Sequence, residues 1–186
     1  MLGYAFCGSF CTLSDSLSAL NCFLAAGLEI QPIMSERVYY TDTRFYKAEE
    51  LRKTVERLTG RQIIHTVEAA EPLGTSAPLD ALIVCPCTGN TLAKLASGIT
   101  DGAVTMAMKA HLRCDRPLLL CLASNDAMSQ NLKNIAFALT RKSVYLTPMR
   151  QDNPKGKPYS LVTDFDRVYE AYTAMLKGEQ MRPLFL

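Results

Sequence analysis

A chain of 186 residues, 48% hydrophobic and 20% charged, buries roughly 70% of its unfolded surface and has the composition of a globular domain. A formal net charge of +2, without any basic run, excludes a nucleic-acid footprint, and no apolar stretch approaches the ~18 residues of a membrane span. Seven cysteines, an odd number with no secretory leader ahead of them, read as reduced thiols of a cytoplasmic protein.

In chain order, Leu2 to Cys7 is a short apolar strand ending at Gly8-Ser9. Helical spacing follows at Leu13, Leu17, Leu20 and Leu24, and Gly27 closes it. Leu28 to Met34 is a second strand, interrupted by Pro32. A charged amphipathic helix fits Lys47 to Leu58 before Gly60. Strand character returns over Arg61 to Val67, and Pro72 to Pro78 is a loop. Ala81 to Cys85 is continuously apolar, as a strand buried on both faces must be. Helices are expected from Asn90 to Ser97 and from Ala103 to Leu112. Pro117 to Leu122 is the next buried strand, Met128 to Thr140 a helix and Ser143 to Leu146 a strand. A polar loop, Arg150 to Pro158, precedes a last helix over Asp164 to Lys177.

Strands alternating with helices predict a three-layer, doubly wound α/β fold of the flavodoxin or Rossmann kind. Its sheet is mostly parallel, with helices on both faces. No repeat, low-complexity segment or linker interrupts residues 1–186, so a single domain is expected.

In such a fold, ligands sit beyond the carboxyl ends of the strands. The first strand is followed by Gly8, Ser9, Phe10, Cys11 and Thr12, small and hydroxyl residues feeding a helix N-terminus that suits an anion. The spacing is not Gly-x-Gly-x-x-Gly, so a dinucleotide fingerprint is not supported. Ser35 follows the second strand and either donates to the same anion or caps a turn. Pro86-Cys87-Thr88-Gly89-Asn90-Thr91 follows the third, with Pro86 expected to end the strand. Asn90 either caps the next helix or offers its amide to a carboxylate or ring edge. Ser124, Asn125 and Asp126 follow the fourth; Asp126 is either an acid-base group or a cap. Arg150, Lys155 and Lys157 share a polar loop that either closes over an anionic ligand or is simply solvated. Two histidines and a Cys-x-Cys with one intervening residue do not make a zinc site; no metal is expected. Cys7, Cys85 and Cys121 read as small buried hydrophobes.

The run from Pro86 through Asn90, continued by Leu92-Ala93-Lys94-Leu95-Ala96-Ser97-Gly98-Ile99-Thr100-Asp101, resembles the Pro-Ala-Ser-Ala-Asn signature of the flavoproteins that include the flavin-dependent cysteine decarboxylases. Cys87 and Gly89 depart from that signature but stay small. The decarboxylases' Pro-x-Met-Asn motif is replaced by Ser124-Asn125-Asp126-Ala127. Their histidine after the second strand is missing, with Arg37, Tyr39 and Tyr40 in that region. The N-terminal segment from Gly3 to Thr12, the segment around Ser124 to Asn134 and the stretch from Pro148 to Leu161 resemble instead the dipicolinate synthase B-subunit branch of the family.

That resemblance implies FMN held by Gly8, Ser9, Phe10, Cys11, Ser35, Pro86, Cys87, Thr88, Asn90, Thr91, Ser124 and Asn125. It implies a dicarboxylate substrate held by Asn90, Asp126, Arg150, Lys155 and Lys157. The reaction implied is oxidation of a dihydropyridine dicarboxylate to pyridine-2,6-dicarboxylate in the mother cell of a sporulating bacterium. An A subunit would be the partner, with NAD or NADP entering through it, and a homo-oligomer of trimers or their multiples is expected. The alternatives are decarboxylation of a cysteine-containing substrate and a non-catalytic scaffold.

Overall fold

The computed structural model describes all 186 residues. Its central sheet is built from β1 (Leu2–Phe6), β2 (Ile30–Met34), β3 (Ala81–Thr88), β4 (Leu118–Ser124), β5 (Val144–Leu146), β6 (Met149–Arg150) and β7 (Leu161–Thr163). Strands β2, β1, β3, β4 and β5 lie side by side and parallel in the order 2-1-3-4-5. Strand β7 joins the far end of β4 antiparallel, and β6 pairs antiparallel with β7. The expected doubly wound α/β fold is therefore present, with a small antiparallel extension on one edge.

Alternation across the strands separates two cores. Ala5, Leu82, Val84, Leu118, Leu120 and Leu122 share one apolar cluster. Helices α4 (Val67–Ala70), α5 (Gly89–Ser97), α6 (Ala103–Leu112) and α7 (Leu132–Thr140) cover it. Tyr4, Phe6, Ile83, Leu119 and Cys121 face the opposite way, under α1 (Leu13–Ala25), α2 (Glu36–Tyr40), α3 (Ala48–Thr59) and α8 (Val168–Leu176). Each fully buried Leu, Ile or Phe contributes about 1.5–3 kcal/mol, so β1, β3 and β4, buried at nearly every position, anchor the fold. No helix is long and apolar enough to cross a membrane.

Four expectations need correction. Pro86 does not end β3: the strand runs on to Thr88. Proline has no ladder N–H, and the register against β4 shifts between Val84 and Cys87, a bulge of the kind that accommodates proline within a sheet. Residues Arg61 to Val67 do not form a strand. Only Ile64 bridges, to Ile33, and α4 begins at Val67. Pro32 sits within β2, an edge strand, and its carbonyl faces outward to the Ile64 N–H at 3.0 Å. Its missing N–H lies on that outer side and costs no bond to β1. Finally, α7 begins at Leu132, four residues later than Met128, because Asp126 to Asn131 form a turn of their own.

Candidate functional site

The chain leaves β1 for α1 on one face of the sheet and β3 for α5 on the other. Between these departures a crevice opens at the carboxyl ends of β1 and β3, the switch point where open α/β sheets bind ligands. A cleft of about 680 Å³ occupies it. Gly8, Phe10, Ser35, Thr88, Asn90 and Thr91 line it, so the structure gathers, from three separate strand ends, half of the residues proposed for the cofactor.

Local chemistry explains the floor. Thr88 is the N-cap of α5, its Oγ1 accepting from the Thr91 N–H at 3.1 Å. The Gly89 and Asn90 N–H groups, at the first two helical positions, have no intrahelical acceptor, and Asn90 lines the cleft. Gly98, at φ +71°, takes the left-handed cap that ends α5. A second helix, α6, opens into the same space through Gly102, Ala103 and Val104. The Gly102 N–H is taken by Thr105 Oγ1 at 3.1 Å, but the first N–H groups of α6 are also without intrahelical partners. Two positive helix ends thus converge on one cleft.

Ser35 opens α2. Its N–H donates to Phe6 O at 3.0 Å, and its carbonyl accepts from Val38 and Tyr39. Its hydroxyl is buried and has no hydrogen-bond partner, an arrangement that costs free energy unless a ligand completes it. The charged lining consists of Glu36, Arg37, Lys94 and Asp101. Lys94 Nζ donates to both oxygens of Asp101, at 2.8 and 2.7 Å, and that ammonium holds the Asp101 carboxyl below its ordinary pKa.

Other proposed residues lie elsewhere. Cys87 is buried in the core under α5, and burial pushes its thiol pKa well up; Cys7 beside it is pushed to about 11 by burial. Pro86 is buried within β3. Ser9 accepts from Thr12 Oγ1 at 3.0 Å, a local turn contact, and Cys11 is exposed outside the cleft lining. Asn125 is exposed. Asp126 accepts from Ser124 Oγ at 2.6 Å and from Asn131 Nδ2 at 2.8 and 2.9 Å. Those bonds, the Ser124 one first, hold its pKa below the ordinary value. Its carboxylate buttresses the start of α5 from behind rather than lining the cleft.

Arg150, Lys155 and Lys157 do not line the cleft either. Arg150 pairs with Asp164 at 3.1 Å in a separate cleft of about 480 Å³ beside α1. Lys157 pairs with Asp152 at 2.9 Å, which raises the lysine pKa. The loop between β6 and β7 packs against the α1 side of the molecule, where Arg150 and Asp152 share that second cleft with Asp15, Ser18 and Cys22 and Lys157 lies near Cys11, so its cations sit next to the β1/β3 crevice without lining it. His65 stacks on Tyr39 with ring centroids 3.6 Å apart. His111 is buried, its Nε2 beside Pro117 O at 2.9 Å, and burial lowers its pKa. No group of three or more His, Cys, Asp or Glu side chains is arranged to hold a metal ion.

Sequence reasoning missed the α6 N-terminus and the cleft-facing role of Arg37. Asp101-Gly102 ahead of the apolar helical run from Ala103 was the available signal. Nothing local indicated that this helix end would meet α5.

A family model described as Flavoprotein matches residues 8–165. The B subunit of dipicolinate synthase from Bacillus subtilis (strain 168) is 35% identical over 185 residues, covering 100% of this chain and 92% of the relative. The crystal structure of the dipicolinate synthase B subunit from Bacillus halodurans is 34% identical and superposes with a TM-score of 0.91, covering 100% of this chain and 95% of that one. An FMN-dependent cysteine decarboxylase superposes at a TM-score of 0.68 and 21% identity, with 95% of each chain covered; at that identity the likeness speaks for the fold alone.

Proposed function

The chain belongs to the flavoprotein family, and from that premise we propose that it holds FMN in the β1/β3 cleft. Its role would be that of a dipicolinate synthase B subunit, oxidising a dihydropyridine dicarboxylate to pyridine-2,6-dicarboxylate with an A subunit. The match to two B subunits over essentially the whole chain carries this reading. An organism that forms spores, a cytoplasmic location, nicotinamide chemistry on the A subunit and self-assembly go with it. Exposed Ile99, Leu132, Phe185 and Leu186 offer apolar surface for that assembly.

The residues present fit the cofactor. Ser35 Oγ is a buried hydroxyl without a partner, and a phosphate oxygen would supply one. The free N–H groups at the start of α5 and α6 add neutral donors and positive helix ends. Asn90 presents both a donor and an acceptor to a ring edge. When bound, the flavin would supply the two-electron acceptor that this set of side chains lacks. The polypeptide's part is to hold, orient and desolvate.

The purified chain incubated with FMN is expected to show flavin absorption after the free cofactor is removed. Ser35→Ala should weaken FMN binding about 10-fold through loss of a charge-assisted hydrogen bond. It should leave unfolding stability unchanged or slightly higher, because it removes an unpaired buried hydroxyl. A variant that loses stability but keeps FMN affinity would count against a phosphate at this position. Dipicolinate formation should need the A and B subunits together; full activity of A alone would refute the proposal.

A further inference from the structure

We infer, resting on the proposed function for the identity of the ligand, that Arg37 is the carboxylate anchor of the cleft. It would grip one carboxylate of a pyridine dicarboxylate and so help decide which substrate enters.

Two cationic side chains line the cleft. The charge of Lys94 is already answered by Asp101. Arg37 takes part in no ion pair and no side-chain hydrogen bond of the chain. Its sequence neighbour Glu36 also lines the cleft, but adjacent positions on a helix point apart, and the two do not pair. The Arg37 stem rises beside the loop after β1: a Cβ built on Gly8 would lie 3.8 Å from Arg37 Cβ. The Arg37 side chain therefore leaves the backbone at the junction of the β1 and β2 ends, two residues beyond the buried Ser35 hydroxyl, and lines the cleft.

This divides the donors of the cleft into two kinds. Ser35 Oγ and the helix N–H groups are fixed and neutral, and suit a phosphate. Arg37 carries a planar, permanently charged fork that matches a carboxylate. A dianion entering the cleft must exchange water for protein donors, and an unpaired charge is costly to desolvate. The cations of the 150–158 loop do not line the cleft: Arg150 and Lys157 are engaged by Asp164 and Asp152, and Lys155 is an exposed surface side chain.

The test is calorimetric titration of the full chain with pyridine-2,6-dicarboxylate, with and without FMN. Wild type, Arg37→Gln and Arg37→Lys are compared, and parallel titrations use FMN and riboflavin. Arg37→Gln is expected to weaken the dicarboxylate about 10- to 100-fold. Arg37→Lys recovers part of that loss, since an ammonium lacks the planar fork. FMN affinity should not change. Unchanged dicarboxylate affinity in Arg37→Gln, or no dicarboxylate binding by wild type, overturns the inference. So does a loss of FMN affinity with riboflavin affinity intact, which would make Arg37 a phosphate clamp. Arg37-dependent dicarboxylate binding by a wild type that binds no FMN would support the anchor while sinking the flavin reading.

Discussion

Gly89→Ala is expected to lower the unfolding free energy by about 2 kcal/mol and to weaken FMN binding with it. A Cβ at Gly89 would overlap Ser124 Oγ and stand 2.6 Å from Asn131 Nδ2 and 3.0 Å from Asp126 Oδ1. Ser124 Oγ and Asn131 Nδ2 both donate to Asp126 Oδ1, at 2.6 and 2.8 Å, so none of the three gives way alone. The improved helix propensity of Ala, under about 1 kcal/mol, does not offset the overlap. Relief comes only if α5 moves, and α5 carries Thr88, Asn90 and Thr91 at the cleft. The flavoprotein signature that this loop resembles has Ala at the same place, so the requirement for glycine is imposed here by the loop after β4. Adding Ser124→Ala to Gly89→Ala should recover about 1 kcal/mol of the loss, since contacting residues couple. Denaturant unfolding of the four members of that cycle reads the coupling, and strict additivity would refute this packing argument.

Asp126→Ala should cost about 2–3 kcal/mol, a fall of about 5–10 °C in Tm for a chain of this length. It strands the Ser124 hydroxyl and the Asn131 amide, residues only 8% and 6% exposed, without their acceptor. The effect should depend on pH in a defined direction. The Asp126 carboxyl titrates below its ordinary value in the folded chain, chiefly through the Ser124 hydrogen bond and then those of Asn131. A folded pKa below the unfolded one stabilises the fold above the unfolded value, about 3.9. That contribution is lost as pH falls through the folded pKa. The gap in unfolding free energy between wild type and Asp126→Ala should accordingly shrink below about pH 4. A gap that persists unchanged into strong acid would show that the carboxylate charge does not hold this turn.

Long-range order explains which features were legible beforehand. Ala81 to Cys85 and Pro117 to Leu122 are continuous apolar runs, and a run of that kind has few places to go except the middle of a parallel sheet. The Ile64 bridge and strands β6 and β7 were not legible in this way. They are one to three residues long and owe their conformation to pairing with distant strands rather than to any periodicity. The five-residue helix α2 is likewise too short to show a helical repeat. At the cleft, Gly8, Ser35, Thr88 and Asn90 come together because each lies at, or within two residues of, the carboxyl end of a strand. Arg150 and Lys157 do not line the cleft, because each is engaged by a carboxylate, Asp164 and Asp152, that polarity and sequence adjacency do not reveal.

The amino-acid sequence alone determined the alternation of strands and helices, the buried central strands and the small, hydroxyl-rich strand ends, since all of these are written in local hydrophobic patterning and residue size. Tertiary structure decided the rest: the order 2-1-3-4-5 brings the ends of β1, β2 and β3 together with the start of α6. It turns Arg37 into the cleft, and it sets Asp126 behind α5 as a support. Those relations depend on which strands become neighbours, and pairing between distant segments has no local signature.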